Sequence, residues 1–568
     1  MSIPTPHFTR TMMSMSPGVL SIYTIGRIAN ALLPFGIILI ERILFNQLGL
    51  ASSDWSLWVV LAAYLAVIVA RMGSIMAEAW GDVTFRYRLK GILHHNALQQ
   101  TLERPGAEPL PVSALEAINR LRDDVDEVAD FPLWIPEVIA TVGTGIVAFV
   151  VMSSIDLTLS VMSVIPLVLL GVASYLIWPH YLSYRYQAGM CEDRFTSLLG
   201  SVIAGAQTIK LANSSATALE RLADISRERQ RVNVRGLVLY NAQTTLVSLG
   251  VGICGTAIYW YGGAALSAGT MQLGDLLLLV SSVGIIAWVP NVVATFIGDY
   301  AQQKVSIGRL TEFMPDNPAG LLRPYRWWLP APVASAQTTL PPLTTMTLHT
   351  VSYTYPSSGG GISNVNLTIP RGSLTVITGA VGSGKSTLLH LISGLLAPQS
   401  GTLTWNGQPI THLGAPQVLA TTQIPFLVSD TLRENITLGA SDAQLTQVLS
   451  ASALTHDIDQ LPDGLNTVVG PRGVRLSGGQ RQRVALARML LRPAEILVLD
   501  DISSAVDVTT EAHLWQSLRQ HSTGTLVASS HRRALLQQAD QVVVVANGTI
   551  VAIGRYDDVA QHLTHLDG

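Results

Sequence analysis

Apolar positions are spread unevenly along the 568 residues of the chain. Before about residue 300 they form long runs, and about 20 such residues cross a bilayer as a helix. Six runs of that length are predicted, at 22–45, 56–79, 132–153, 156–178, 240–262 and 275–298. Arg27, Glu41 and Arg71 interrupt the first two. Charge inside a membrane is expensive, so these side chains are expected to face the bundle interior, a partner group or the interface. Later in the chain, β-rich runs such as Leu374–Thr378 and Ile496–Leu499 alternate with helical stretches, as in a soluble α/β domain. From Phe313 to Thr345 the prolines 315, 318, 324, 330, 332, 341 and 342 break every period. That segment reads as a linker, with Trp327 and Trp328 against the membrane interface or a domain surface. The expected architecture is multi-domain: an all-α six-helix transmembrane domain over 1–312, the linker over 313–345, and an α/β domain over 346–568.

The connectors add orientation. The short loops 46–54, 154–156 and 263–274 contain no Lys or Arg. The two long connectors are basic, with Arg86, Arg88, Lys90, Arg104, Arg120 and Arg122 in one and Arg185, Arg194, Lys210, Arg221, Arg227, Arg229, Arg231 and Arg235 in the other. The positive-inside rule therefore places the long connectors and both termini in the cytoplasm of a multi-pass cell-membrane protein. Helical spacing in Ser113–Ala129 and Leu198–Val232 suggests membrane helices that run on into the cytosol and return. In the first of these, Leu115, Ile118, Leu121, Val125 and Val128 are expected on one side.

Composition agrees with a membrane setting. Charged residues make up 13% of the chain, against about 25% in ordinary soluble proteins, and the mean hydropathy is positive. The net charge of −3 gives no reason to expect nucleic acid. The two cysteines, Cys191 and Cys254, lie in segments assigned to cytosol or lipid, where a structural disulfide is not expected. The first seventeen residues lack the compact apolar core of a signal peptide.

The soluble half carries the chemistry. Gly379-Ala380-Val381-Gly382-Ser383-Gly384-Lys385-Ser386 follows a β-rich run and leads into Thr387 and a helix, which is the strand–loop–helix setting of a Walker A motif. Its glycines let backbone N–H groups approach phosphates at a helix start. Lys385 supplies charge to the β/γ-phosphates of ATP and Ser386 a hydroxyl to Mg²⁺. Ile496–Asp500 is an apolar strand ending in a carboxylate, as in Walker B, where Asp500 would order the metal's water shell.

With Leu476-Ser477-Gly478-Gly479-Gln480 in family order between these motifs, the chain resembles an ATP-binding cassette (ABC) exporter half-transporter. That resemblance implies a P-loop NTPase fold for the soluble half and an ATPase activity that drives transport. It also implies roles for individual residues. Tyr355 matches the aromatic that stacks on adenine. Gln423 matches the Q-loop glutamine, which senses Mg²⁺ and γ-phosphate, and Thr431–Ile436 resembles the segment that follows it. Ser477 and Gly479 would contact nucleotide held by the other half, Asp507 would lie in the D-loop, and His531 would hold γ-phosphate and water. The tips of the long connectors would be coupling helices. The lipid bilayer, a second half-transporter and an unidentified exported substrate are the implied partners.

Two departures matter. The general base after Walker B is normally Glu, whereas this chain has Asp501, whose carboxylate falls about 1.5 Å short. Val468 and Pro471 stand where many exporters have glutamates before the signature. An Asp base beside an intact signature is the pattern of one subunit of a heterodimeric exporter, so a heterodimer is favoured over a homodimer. A regulatory or gating subunit, whose nucleotide site switches without powering transport, is the alternative. Asn30, Trp288, Pro290 and Asn291 lie within predicted spans and are candidates for lining a central cavity.

Overall fold

The computed structural model describes residues 4–48, 57–104, 106, 112, 114–314, 317–325, 340–356, 358–410, 413–414, 416–470, 473–502, 508–521 and 524–563. These fall into two compact units, Met1–Thr101 with Leu110–Pro330, and Leu102–Pro109 with Ala331–Gly568.

The first unit is helical. A short helix α1 (Thr5–Met15) precedes α2 (Pro17–Leu48) and α3 (Leu57–Glu103). After α4 (Ala114–Asn119) and α5 (Val125–Asp130) come α6 (Trp134–Ile155), α7 (Leu157–Ala204), α8 (Ala206–Leu211), α9 (Ser215–Ser267) and α10 (Leu273–Phe313). Six helices among the described residues are long and apolar enough to cross a membrane. A 47-residue helix such as α3 spans about 70 Å at 1.5 Å per residue, roughly twice the hydrocarbon thickness. The helices thus continue well beyond one apolar run, as the connector spacing predicts. Trp58, Leu65, Val69, Ile253 and Trp260 are exposed, as suits a lipid-facing surface. One buried cluster gathers Met152, Leu159, Cys254, Ile258, Leu278 and Val283, and another gathers Phe8, Phe85, Leu89, Val125, Val128, Leu310 and Phe313.

One expectation needs correction here. Between α4 and α5 the residues Arg120–Asp124 form a π-helical turn. The wider turn resets the helical register, so Val125 and Val128 are buried while Ile118 is 60% exposed. The segment read as a linker holds local structure. Pro318–Leu322 forms a 3₁₀ turn capped by the Asn317 side chain, and Leu321 and Leu322 join the cluster around Phe85. Asn96 Nδ2 holds this turn by donating to the carbonyls of Leu321 and Arg323, both at 2.8 Å. Trp327, Trp328, Pro330 and Pro332 lie outside the described residues.

The second unit is built on two sheets. Strands β1 (Thr345–Thr354), β2 (Gly361–Pro370), β4 (Ser400–Trp405) and β5 (Gln408–Ile410) form an antiparallel sheet in the order β2-β1-β4-β5. The other sheet runs β10-β9-β3-β8-β7-β6, from β3 (Leu374–Thr378), β6 (Val418–Thr421), β7 (Ile496–Asp500), β8 (Thr525–Ser529), β9 (Gln541–Ala546) and β10 (Thr549–Gly554). All its pairings are parallel except β9 with β10. Strands covered on both faces read as continuous apolar runs, and β3, β7 and β8 are buried at every position. One core packs the antiparallel sheet and α11 (Lys385–Ile392) on Ile377, Val498 and Val543, and a second packs Leu514, Trp515 and Leu518 on Val376 and Leu499. A separate cluster, from Leu427 and Leu432 to Val484 and Leu491, forms the core of a helical lobe that contains the helix Gly478–Leu490.

Candidate nucleotide site

In an open parallel sheet, ligands sit beyond the carboxyl ends of the strands, where the strand order switches. Strand β3 lies between β8 and β9, and the glycine loop leaves its carboxyl end. The loop needs its glycines. Gly379, Gly382 and Gly384 have φ of +148°, +82° and +106°. A Cβ on Gly379 would lie 2.1 Å from the Val545 carbonyl oxygen, a backbone atom that cannot retreat. A Cβ on Gly384 would meet Ile362 Cγ2 at 2.8 Å. The main chain is therefore drawn tightly around the start of α11. Lys385 Nζ lies across the loop, donating to the carbonyls of Gly379 at 2.7 Å and Ala380 at 2.8 Å. Burial pushes its ammonium below the usual lysine range, while the Asp500 and Asp501 carboxylates pull it back. Ser383 and Thr387 are buried and Ser386 is exposed.

The carboxylates arrive on the neighbouring strand end. Asp500 and Ser529 are register partners on the parallel strands β7 and β8. The Ser529 hydroxyl donates to Asp500 Oδ1 at 2.6 Å and accepts the Asp501 N–H at 2.9 Å. Asp501 sits in the left-handed region with φ of +49°, which Asp and Asn tolerate better than other side chains. Gln423 Nε2 reaches Asp501 Oδ2 at 3.5 Å, so the Q-loop and the position after Walker B face each other. His531 stands at an exposed position two residues beyond β8. Partial loss of solvent around the ring first, and the Lys385 charge second, lower its imidazole pKa, with Asp501 opposing. Lys385, Asp500, Asp501, Gln423 and His531 thus gather at one end of the sheet. Tyr355, at the end of the β1–β2 hairpin, packs edge-on to Tyr353 with centroids 5.1 Å apart.

Ser477 caps the helix Gly478–Leu490 with a reciprocal box: Gln480 N–H donates to Ser477 Oγ at 3.2 Å, and Ser477 N–H to Gln480 Oε1 at 2.9 Å. Such a cap leaves a helix N-terminus whose remaining N–H groups are suited to an anion. Asp507 lies outside the described residues.

Some contributors carry no local sequence signal. Asp457 accepts from Gln480 Nε2 at 3.0 Å and pairs with Arg483 at 2.9 Å, fixing the signature helix from outside the motif. Gln482 Nε2 donates to the carbonyls of Gln423 and Asp501, at 3.3 and 3.4 Å. Buried Asn435 holds the segment after the Q-loop through the Val428 N–H at 2.9 Å and carbonyl at 3.0 Å.

In the membrane unit, Arg27 forms a two-pronged ion pair with Glu137, and Asn30 donates to Glu78 at 2.7 Å. Asn30 lines a cavity of about 640 Å³ together with Tyr23, Glu78, Glu127, Trp134 and Asp299. Trp288 is 55% exposed.

A P-loop nucleotide site on an α/β core, joined in one chain to six membrane-crossing helices, defines an ATPase coupled to transport. Residues 362–504 match the ABC transporter family model, and residues 21–289 match the ABC transporter transmembrane region. The chain belongs to the ABC transporter family, as an exporter-type half-transporter and a multi-pass membrane protein. It is 25% identical over 576 residues to a multidrug resistance ABC transporter ATP-binding and permease protein of Lactococcus lactis subsp. cremoris, covering 98% of this chain and 94% of that one. Over 218 residues, 37% of each chain, it is 40% identical to the multidrug resistance-like ATP-binding protein MdlA of Escherichia coli. Its fold matches a bacterial Atm1-family ABC exporter with ATP bound at a TM-score of 0.78 and 18% identity, covering 97% of this chain and 98% of that one.

Proposed function

We propose that the chain exports an unidentified substrate across the cytoplasmic membrane by alternating access, with the nucleotide-binding domain and both termini in the cytoplasm. The observation that carries this reading is the convergence of Lys385, Asp500, Asp501, Gln423 and His531 at one sheet end. The exposed, serine-capped start of the signature helix at Ser477 and Gly478 supports a site completed by a second half-transporter.

The residues fit Mg·ATP. The Gly379–Gly384 loop admits only close backbone, the Ser386 hydroxyl is a hard oxygen donor of the kind Mg²⁺ takes alongside phosphates, and the Asp500 carboxylate would order the ion's water shell. When bound, Mg²⁺ neutralises charge on the phosphates. Tyr355 stacks on the adenine, and Lys385, with the loop from Gly379 to Thr387, holds the phosphates. Gln423 and His531 orient water at the γ-phosphate, and Asp501 accepts its proton across the gap left by the missing methylene. Ser477, Gly478, Gly479 and Gln480 serve the nucleotide of the partner, and Asp507 joins the same interface. Closure of two such domains would bias a two-state membrane domain.

A heterodimer with a Glu-bearing partner follows from Asp501. Brisk ATPase by the purified chain alone would contradict it. The regulatory alternative rests on the same residue. Substrate flux in sealed vesicles that persists when the partner's base is mutated would show that this chain's own site powers transport and would contradict the regulatory role.

A further inference from the structure

The Walker B carboxylate is buried to 7% exposure, and so is the group that contacts it, Ser529, at 4%. Parallel register puts their side chains on the same face of the sheet. One hydroxyl then performs two tasks: it donates to Asp500 Oδ1 and accepts the N–H of Asp501. A hydroxyl has one donor and two acceptor positions, so both bonds can be made together. The first leaves Asp500 Oδ2 as the oxygen available to a metal's water shell. The second pins a peptide that must hold a left-handed conformation, φ +49°. Because Ser529 ends the strand that leads into His531, the link also ties the Walker B end to the switch segment.

We propose that Ser529 is a positioning residue of the nucleotide site, setting the rotamer of Asp500 and the backbone of Asp501 so that Mg·nucleotide is held in one geometry. This rests on the reading of Asp500 as the carboxylate that orders Mg²⁺. Hydrogen-bond partners of metal-binding carboxylates commonly tune affinity in this way. An apolar side chain at 529 would leave the carboxylate with one donor fewer and remove the bond that Ser529 Oγ accepts from the Asp501 N–H.

The test uses the full chain in lipid nanodiscs and follows binding of a fluorescent ATP analogue while Mg²⁺ is titrated, with a parallel series in EDTA. Ser529→Ala should raise the Mg²⁺ concentration for half-maximal binding by about tenfold, the lower end of outer-shell effects, and leave Mg²⁺-free binding unchanged. Ser529→Thr, which keeps the hydroxyl, should restore the wild-type titration. If Asp500→Asn shifts the Mg²⁺ titration and Ser529→Ala does not, the positioning role is wrong while the reading of Asp500 stands. If neither shifts it, that reading has failed and the proposal falls with it. Equal weakening with and without Mg²⁺ in Ser529→Ala would mark a merely structural residue and also overturn the proposal.

Discussion

Replacing Asp501 with Glu probes the position where the resemblance to ABC exporters implies a Glu base. The substitution advances the carboxylate by about 1.5 Å, one C–C bond. A misplacement of 1 Å can lower a rate by about a hundredfold, equivalent to about 2.7 kcal/mol of barrier. The backbone opposes part of this gain. Asp501 has φ of +49°, where an ordinary side chain costs about 1–2 kcal/mol and Asp is partly spared. If Glu gives back about 1 kcal/mol of that relief, about 1.7 kcal/mol remains and turnover should still rise by about twentyfold. The assay is phosphate release by the full chain assembled with a second half-transporter whose own base is mutated, comparing wild type, Asp501→Glu and Asp501→Asn. Binding of Mg·ATP should be similar in all three, because Lys385, Ser386 and Asp500 are untouched. Unchanged turnover in Asp501→Glu with intact binding would refute the argument that reach limits this site.

Other perturbations separate binding from stability. Lys385→Ala removes an ammonium whose burial disfavours its charge, so the nucleotide-free protein should melt no lower than wild type, while ATP-dependent stabilisation in thermal scans is lost. Asp457→Ala breaks the pair with Arg483, whose side chains are 18% and 17% exposed; discounting buried-pair values for solvent leaves about 1–2 kcal/mol. Amide exchange in the helix Gly478–Leu490 should accelerate by about tenfold, since 1.4 kcal/mol corresponds to that factor. His390 and His531 both have imidazoles held below the ordinary value, chiefly by loss of solvent. The unfolded chain therefore binds more protons, and the stability they contribute is present above about pH 6.5 and lost as pH falls through the lower folded values. His390→Gln should flatten the fall in unfolding temperature between pH 7 and 5.

What the sequence made legible was whatever is local. The glycine loop is contiguous, its strand and helix flank it, and each needs only neighbouring residues to be recognised. The six apolar runs were legible for the same reason, since length and composition suffice. What stayed hidden couples distant positions. The Asp500–Ser529 bridge depends on β7 and β8 being parallel neighbours in one register, which no window of sequence contains. Asp457 serves the signature helix across 23 residues, and Arg27 meets Glu137 across 110. The exposure of Ile118 escaped for a different reason: a π turn inserts one residue into the helical count, so a period read correctly on each side fails across it. Asp501 joins both kinds. Its identity was plain, and chemistry alone made it look like a shortened base. The left-handed backbone and the Ser529 acceptor give Asp a structural reason to stand there as well. A partner chain with Glu at the equivalent turn would have to carry the left-handed strain, or relieve it with a different φ. The φ at that turn therefore separates a site built for slow turnover from one that has merely lost a methylene.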